Sequence, residues 1–143
     1  MRGDAPQQAS TSLSRSDPRG SLGRLGEGLA ATHLERLGFA IVERNFRTRH
    51  GEIDLIAFDG SALVFVEVKT RRSRKRWQLT PDEQPLAWLR TRQCARLRRL
   101  ASAWLHEHRR ERPHAHTIRF DAIGVIVDDA DCLVSLDHIE GAW

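Results

Sequence analysis

Residues 51–71, GEIDLIAFDGSALVFVEVKTR, decide the fold of this 143-residue chain. An Asp-Gly pair, Asp59 and Gly60, stands between two apolar runs rich in branched side chains. Asp-Gly in that setting is a strong short-range signal for a β-hairpin. The sequence therefore predicts two antiparallel strands, over residues 52–58 and 63–70.

The length of the hairpin loop decides which side chains meet across these strands. A two-residue loop pairs Asp54 with Phe65, and a four-residue loop over residues 59–62 pairs Asp54 with Glu67. A three-residue loop would send Asp54 to the face opposite Glu67. Side chains alternate along a strand, so the first two registers place the same four charged residues on one face of the sheet. They are Glu52, Asp54, Glu67 and Lys69.

The second strand of the hairpin is almost continuously apolar, which predicts a central strand covered on both faces. It ends in Glu67 and Lys69, which would lie about 6.6 Å apart along the strand. Carboxylates held close together in a poorly solvated cleft repel each other, and a hard divalent ion relieves that repulsion. One interpretation is a Mg²⁺ or Mn²⁺ site formed by Asp54 and Glu67. The other is an ordinary ion pair of Glu67 with Lys69 at the strand end.

Leucines at helical spacing predict a helix ahead of the hairpin, with Ser21 as its N-cap and Gly38 at its C-terminal end. Glu27 stands between Gly26 and Gly28, which would allow this turn to approach another backbone closely. Glu27 lies at the edge of the apolar stripe. It is either a site residue or an ordinary solvent-facing glutamate.

The remaining patterns predict a strand over residues 39–46, a long helix over residues 86–108, and strands over residues 117–127 and 132–136. Asp121 is interpreted as a structural residue, with a place near the site as the alternative. The order α-β-β-β-α-β-β predicts an α/β domain over residues 21–143, with a mixed sheet flanked by helices. Residues 1–20 are polar and are expected to form a disordered tail.

Positive charge is concentrated after the hairpin. The net charge of the chain is +4, but residues 71–99 contain ten Lys or Arg and only two acids. That asymmetry predicts a nucleic-acid face, and a solvated basic surface is the alternative. The candidate phosphate contacts are Arg71, Arg72, Arg74, Lys75, Arg76, Arg92, Arg96 and Arg99.

A smaller basic group precedes the hairpin. The predicted strand over residues 39–46 ends in a basic group, Arg44, Arg47 and Arg49, and His50 follows it. These arginines are either a solvated strand end or further phosphate contacts. His50 is interpreted as a loop residue that borders the site.

An acidic residue on one strand, followed by (D/E)-x-K on the next, is similar to the PD-(D/E)xK nuclease pattern. Asp54 and the run from Glu67 to Lys69 occupy those positions. More narrowly, GEIDLIA followed by LVFVEVKTR resembles the YraN family of small bacterial proteins. Further matches, in the family's order, are GRLGEGLAATHLERLGF, ERNFR and RFDAIGV, and together they span roughly residues 22–127.

The resemblance implies a restriction-endonuclease-like fold, related to archaeal Holliday-junction resolvases. It implies catalytic roles for Asp54, Glu67 and Lys69, with Lys69 beside the attacking water and the scissile phosphate. Glu27 would be a further acidic member of the site. Where the family often has a lysine this chain has Gln93, so that residue's role would pass to Arg92 or be lost. Junction-resolving relatives act as dimers, which makes a homodimer compatible with the resemblance.

Several other classes of protein are disfavoured. No run is apolar and long enough for a secretion signal or a membrane span, so the cytoplasm is expected and a membrane partner is not. Cys94 and Cys132 lie far apart and are predicted to be reduced thiols. The histidine pairs at residues 106/108 and 114/116 have no flanking cysteines, which disfavours zinc.

The leading hypothesis from the sequence is a Mg²⁺-dependent endonuclease that hydrolyses phosphodiester bonds in DNA, with branched or flapped DNA implied by the resemblance. A non-catalytic nucleic-acid-binding protein with a vestigial nuclease site is the first alternative. The second is an adaptor whose basic face meets an acidic protein.

Overall fold

The computed structural model describes residues 17–73 and 91–142, except for the side chains of residues 91 and 92. Within those ranges two helices and five strands occur in the order α-β-β-β-α-β-β, which confirms the predicted α/β fold. The elements are α1 (Pro18–Arg36), β1 (Ala40–Thr48), β2 (Gly51–Phe58), β3 (Ala62–Arg72), α2 (Thr91–Glu107), β4 (Thr117–Val127) and β5 (Leu133–Ile139).

The strands form one mixed sheet in the order β1-β2-β3-β4-β5. β3 and β4 are parallel, and the other neighbouring strands are antiparallel. A parallel pair requires a crossover connection, and α2 lies in the connection between β3 and β4. β3 is therefore the central strand, as its apolar sequence predicts.

Each face of the sheet is covered by one helix. Val64 and Val66 of β3 pack in the core beneath α1, and Leu63 and Phe65 pack in the core beneath α2. The largest of these buried side chains is Trp104 of α2, which is 1% exposed. Side chains alternate along β3, so the strand contributes to a separate core on each face of the sheet. This explains why it is apolar on both faces.

The hairpin has the four-residue loop, with Phe58 opposite Leu63. The carboxylate of Asp59 closes the loop, because its Oδ1 accepts hydrogen bonds from the backbone N–H groups of Ser61 at 2.8 Å and Ala62 at 2.6 Å. Gly60 adopts a φ of +99° in the same loop. The register that places Asp54 nearest Glu67 is therefore the one that forms.

Helix α1 begins three residues before the predicted N-cap. Asp17 is the N-cap, and its side chain accepts a hydrogen bond from the N–H of Arg19. Pro18, directly after it, has a backbone preset for the first helical position. The assignment of Ser21 as N-cap is wrong, because the Asp-Pro pair supplies a stronger start signal. Gly38, with a φ of +93°, follows the helix as expected.

Some predictions fall outside the described residues. They concern the tail over residues 1–16, the loop and helix start over residues 74–90, and the side chain of Arg92. Three candidate phosphate contacts, Arg74, Lys75 and Arg76, belong to this group.

Candidate functional site

The regular pairing between β2 and β3 ends just before their acidic residues. The last pair in the register is Leu55 opposite Val66, one position short of Asp54 and Glu67. Asp54 instead accepts a hydrogen bond at its Oδ2 from the backbone N–H of Val68, at 2.7 Å. This contact orients the Asp54 carboxylate at the point where the two strands separate.

A cleft of about 450 Å³ opens at this point, between α1, the ends of β2 and β3, and α2. Both signs of charge meet in it. The charged residues that line it are Arg19, Glu27, Glu52, Asp54, Glu67, Lys69 and Arg96. The four residues predicted to be catalytic therefore lie in one cleft, together with Glu52 and Arg96.

Three carboxylates in this cleft, those of Glu27, Glu52 and Asp54, are close enough to share one cation. One ligand oxygen from each lies within 4.8 Å of the other two. Glu27 also forms a side-chain hydrogen bond with Asn45 of β1, whose φ is +53°. We call this group the acidic trio. It joins α1 to β2 across the end of the sheet.

Gly26 brings Glu27 to the trio. A Cβ at Gly26 would lie 1.6 Å from the Thr70 Oγ1 of β3, so only glycine allows α1 to come this near to the strand. The predicted close approach is therefore correct for Gly26. It is not found at Gly28, where no described atom lies within 4 Å of the position a Cβ would take.

Glu67 lies at the edge of the trio. Its Oε1 is 3.8 Å from the Nη2 of Arg96 on α2, and its side chain is 10% exposed. Burial raises the pKa of Glu67 above its usual value, and the positive charges of Lys69 and Arg96 offset only part of that rise. Glu67 thus connects the acidic trio with the two cations of the cleft.

Three carboxylates of the cleft, those of Glu27, Asp54 and Glu67, have raised pKa values. Burial, followed by repulsion from Glu67, raises the pKa of Asp54 to about 8. Burial is also the main cause of the raised pKa of Glu27. Crowded, poorly solvated carboxylates of this kind are stabilised in their charged form by a bound cation.

Glu52 is the main site residue to which the sequence assigned no role. The sequence predicts the correct face of the sheet for Glu52, because it lies two residues before Asp54 and such side chains share one side of a strand. The exposed Arg47 donates from its Nε to the Glu52 Oε2 at 2.9 Å. The contact between Asn45 and Glu27 had no sequence signal, because it depends on how α1 packs.

The described candidate phosphate contacts have different surroundings. Arg96 lines the acidic cleft, Arg99 is exposed on α2, and Arg71 is exposed near the end of β3. Arg72 is already engaged: its guanidinium donates to the Asp128 carbonyl and to the Asp131 Oδ1, both at 2.6 Å. This contact ties β3 to the turn between β4 and β5.

Asp121 is not among the described residues that line the acidic cleft, and its hydrogen bonds support the predicted structural role. It is fully buried on β4 and accepts hydrogen bonds from the Arg119 Nε at 2.8 Å and from the Gly141 N–H at 3.0 Å. The His138 Nε2 lies 2.8 Å from its other oxygen. Although burial disfavours its charge, the hydrogen bonds from His138 and Arg119 lower the pKa of Asp121.

Three smaller predictions concern cysteines, histidines and membranes. Cys94 is half-buried, Cys132 is exposed, and no disulfide joins them within the described residues. Within residues 17–73 and 91–142, the histidine pairs at 106/108 and 114/116 belong to no group of three metal-ligating side chains. No helix in these ranges has the length and apolar character needed to cross a membrane.

Fold and site together define a small α/β domain with an acidic cleft beside basic residues. The model of the uncharacterised protein family UPF0102 matches residues 26–125. The chain therefore belongs to this family, which is the YraN family indicated by the sequence motifs.

UPF0102 proteins from several bacteria are similar to this chain over most of its length. A UPF0102 protein of Streptomyces griseus is 50% identical over 123 residues, which cover 86% of this chain and 96% of the relative. One from Acidothermus cellulolyticus is 42% identical over 132 residues, covering 87% and 95% of the two chains. One from Frankia casuarinae is 43% identical over 124 residues, covering 86% and 96%.

Proposed function

We propose that this protein hydrolyses phosphodiester bonds in DNA with the help of Mg²⁺ or Mn²⁺. The observation that carries the proposal is the acidic trio, whose ligand oxygens lie within 4.8 Å of one another. Glu67 and Lys69 line the same cleft. A cleft with these members matches the PD-(D/E)xK nuclease pattern that the sequence resembles.

The donor set fits a hard divalent cation. Every ligand atom of the trio is a carboxylate oxygen, which suits Mg²⁺ and Mn²⁺ better than softer metals. Burial beside Glu67 raises the pKa of Asp54 to about 8, and a bound cation would stabilise its charged form. Glu27, Glu52 and Asp54 would hold the ion, with Glu67 as a fourth carboxylate at its side. The ion would supply polarisation of a phosphoryl oxygen and a more acidic water.

The cations of the cleft would act on the phosphate. The Lys69 ammonium and the Arg96 guanidinium line the same space as the carboxylates, where they would bind the phosphate and stabilise charge that develops on its oxygens. Glu67, 3.8 Å from Arg96, holds the guanidinium in the cleft. The N–H of Val68 fixes the orientation of Asp54.

DNA is the proposed substrate because basic residues adjoin the acidic cleft. Arg71 on β3, and Arg96 and Arg99 on α2, would contact phosphates on either side of the cleavage point. The resemblance to junction resolvases leads us to propose branched or flapped DNA, a homodimer as the acting form, and the cytoplasm as its location.

The test is cleavage of fluorescein-labelled four-way junctions, flaps and blunt duplexes in Mg²⁺ or Mn²⁺, followed on denaturing gels. Glu67→Ala and Asp54→Asn should abolish cleavage. DNA binding, measured by fluorescence anisotropy in Ca²⁺, should persist in both. Asp137→Asn, an exposed carboxylate on β5, is the matched control and should cleave like the wild type.

Cleavage that survives Glu67→Ala would overturn the assignment. Salt-sensitive binding without cleavage of any substrate by the wild type would favour the non-catalytic DNA-binding alternative.

A further inference from the structure

A second cleft lies beside the acidic one, between α2 and the turn that joins β1 to β2. Its volume is about 670 Å³, within the usual range of ligand sites, roughly 300–1,000 Å³. We call it the arginine cleft. Its lining residues are Thr48, Arg49, His50, Arg96, Arg99, Leu100 and Ala103. Arg96 lines both clefts.

The lining of the arginine cleft has two chemical parts. Three guanidinium groups, those of Arg49, Arg96 and Arg99, are found there, and none of the described lining residues is a carboxylate. Leu100 and Ala103 add an apolar surface. Positive charge beside an apolar surface suits a ligand that has both an anion and a flat apolar ring. A nucleotide is such a ligand.

The side chain of Arg96 independently points to a missing anion. Its Nε is buried and has no hydrogen-bond partner among the described residues. Its Nη2 is 3.8 Å from Glu67, so only the far end of the guanidinium has a counter-charge. A buried donor without an acceptor is unfavourable, and a phosphate oxygen would satisfy it.

The arginine cleft is already shaped before any ligand binds. Gly51, with a φ of +137°, packs against α2, where a Cβ would be in ordinary van der Waals contact with Leu100 at 3.4 Å and Arg96 at 3.5 Å. The turn before it is fixed by a hydrogen bond from the His50 N–H to the Thr48 Oγ1 at 3.0 Å. Preformed walls lower the entropic cost of binding a small ligand.

We propose that the arginine cleft binds one unpaired nucleotide of the DNA strand. The phosphate lies among Arg49, Arg96 and Arg99, and the base lies against Leu100 and Ala103. This inference rests on the proposed function and deepens it. Because Arg96 borders both clefts, the bound nucleotide adjoins the one whose phosphodiester bond is cleaved. A base enclosed in the cleft cannot pair with a second strand, so the substrate class is DNA that is single-stranded at the cleavage point.

The first experiment is calorimetric titration of thymidine 3′,5′-bisphosphate into the full-length protein in EDTA, which keeps the acidic trio free of metal. Arg49→Ala and Arg99→Ala should each weaken binding about tenfold, the usual scale for losing a charge-assisted contact. Arg98→Ala is the control, since Arg98 is an exposed neighbour on α2 that does not line the cleft. Equal thermal stability of the three variants would show that folding is intact.

The second experiment compares single-stranded and blunt double-stranded DNA of equal length by anisotropy in Ca²⁺. The wild type should prefer the single strand, and Arg99→Ala should lose that preference. No binding of the bisphosphate by the wild type, or equal binding by all variants, overturns the proposal.

These results separate the inference from the proposed function. Bisphosphate binding that depends on Arg49 and Arg99 but survives Asp54→Asn supports the arginine cleft, even if no DNA is cleaved. If cleavage depends on Glu67 but Arg99→Ala does not change bisphosphate binding, the proposed role of the arginine cleft is wrong. The nuclease assignment then still stands.

Discussion

Two buried aspartates in the same sheet, Asp54 on β2 and Asp121 on β4, have opposite electrostatic environments. Asp54 is 7% exposed and Asp121 is fully buried. Nevertheless the pKa of Asp54 is raised to about 8, whereas the pKa of Asp121 is lowered. Burial raises the pKa of both, so their partners decide the difference. Asp121 is neutralised within the fold, and Asp54 is surrounded by further carboxylates.

The partners of Asp121 belong to a hydrogen-bonded network that reaches several elements. Arg119 contacts Asp121 and also reaches Asp59 at 3.5 Å. His138 of β5 contacts Asp121 and also lies 3.1 Å from the Nε2 of His33 on α1. This network holds elements together. The acidic trio also joins elements, but it does so with like charges, which is the arrangement expected of a ligand site rather than of a structural one.

The largest expected effect is the loss of the Asp121 network. Asp121→Asn should lower the free energy of unfolding at neutral pH by about 3–5 kcal/mol, because the partly buried Arg119 loses its anion. Chemical denaturation followed by circular dichroism measures this. Asp137→Asn, on the exposed side of β5, should change the value by less than about 0.5 kcal/mol. A small effect at Asp121 would mean that the network is not structural.

A smaller effect is expected at the glycine that brings α1 to the acidic trio. Gly26→Ala should cost about 1–3 kcal/mol of unfolding free energy, since its Cβ would collide with Thr70, and it should also weaken metal binding by displacing Glu27. Adding Thr70→Ala should recover part of the loss. Gly28→Ala is the matched control in the same helix turn. It should stabilise the protein by about 0.5–1 kcal/mol, because alanine favours helix and meets no described atom there.

The two aspartates should also respond to pH in opposite directions. Because the pKa of Asp54 is raised, the native state binds the Asp54 proton more tightly than the unfolded state does. The stability that the protonated carboxyl contributes is lost as pH rises toward about 8. Asp54→Asn should therefore stabilise the metal-free protein at alkaline pH, and much less in acid. Asp121 has a lowered pKa, so its contribution is present above its unfolded pKa of about 3.8 and is lost as pH falls below it.

Unfolding curves of the wild type and both variants at several pH values measure this difference. A benefit of Asp54→Asn that is the same in acid and in alkali would contradict the raised pKa.

The smallest effect is expected for the exposed ion pair of the trio. Arg47 and Glu52 are 2.9 Å apart, but their side chains are 74% and 41% exposed. Arg47→Ala should therefore change the free energy of unfolding by less than about 0.5 kcal/mol, as surface ion pairs usually do. Thermal unfolding at low and high salt checks this. A loss of more than about 1 kcal/mol would show that Arg47 supports the site in the same way as Arg119 supports Asp121.

The sequence predicted the acidic site more completely than the Asp121 network. Asp54, Glu67 and Lys69 lie within one hairpin, so alternation and loop length alone bring them together. The order of elements and the central place of β3 followed from periodicity in the same way. These are short-range consequences of the chain, and they could be derived residue by residue.

Contacts that depend on packing between distant elements had no such signal. His33 and His138 meet only because α1 lies over the β4–β5 side of the sheet. Glu27 comes close to Glu52 because Gly26 allows α1 to pack close to β3. The start of α1 at Pro18 differs from the prediction for a local reason, because Asp17 lies in the polar segment that is expected to form the tail.

The central claim is that the acidic trio is a metal site, and calorimetric titration of Mn²⁺ into metal-free protein at neutral pH tests it most directly. One ion should bind per chain, and the heat should vary with the buffer because Asp54 releases its proton. Asp54→Asn and Glu52→Gln should abolish or greatly weaken binding, and Asp137→Asn should bind like the wild type. If no Mn²⁺ binds with or without a phosphorothioate duplex, or if Asp54→Asn binds as tightly as the wild type, the acidic trio is not a metal site.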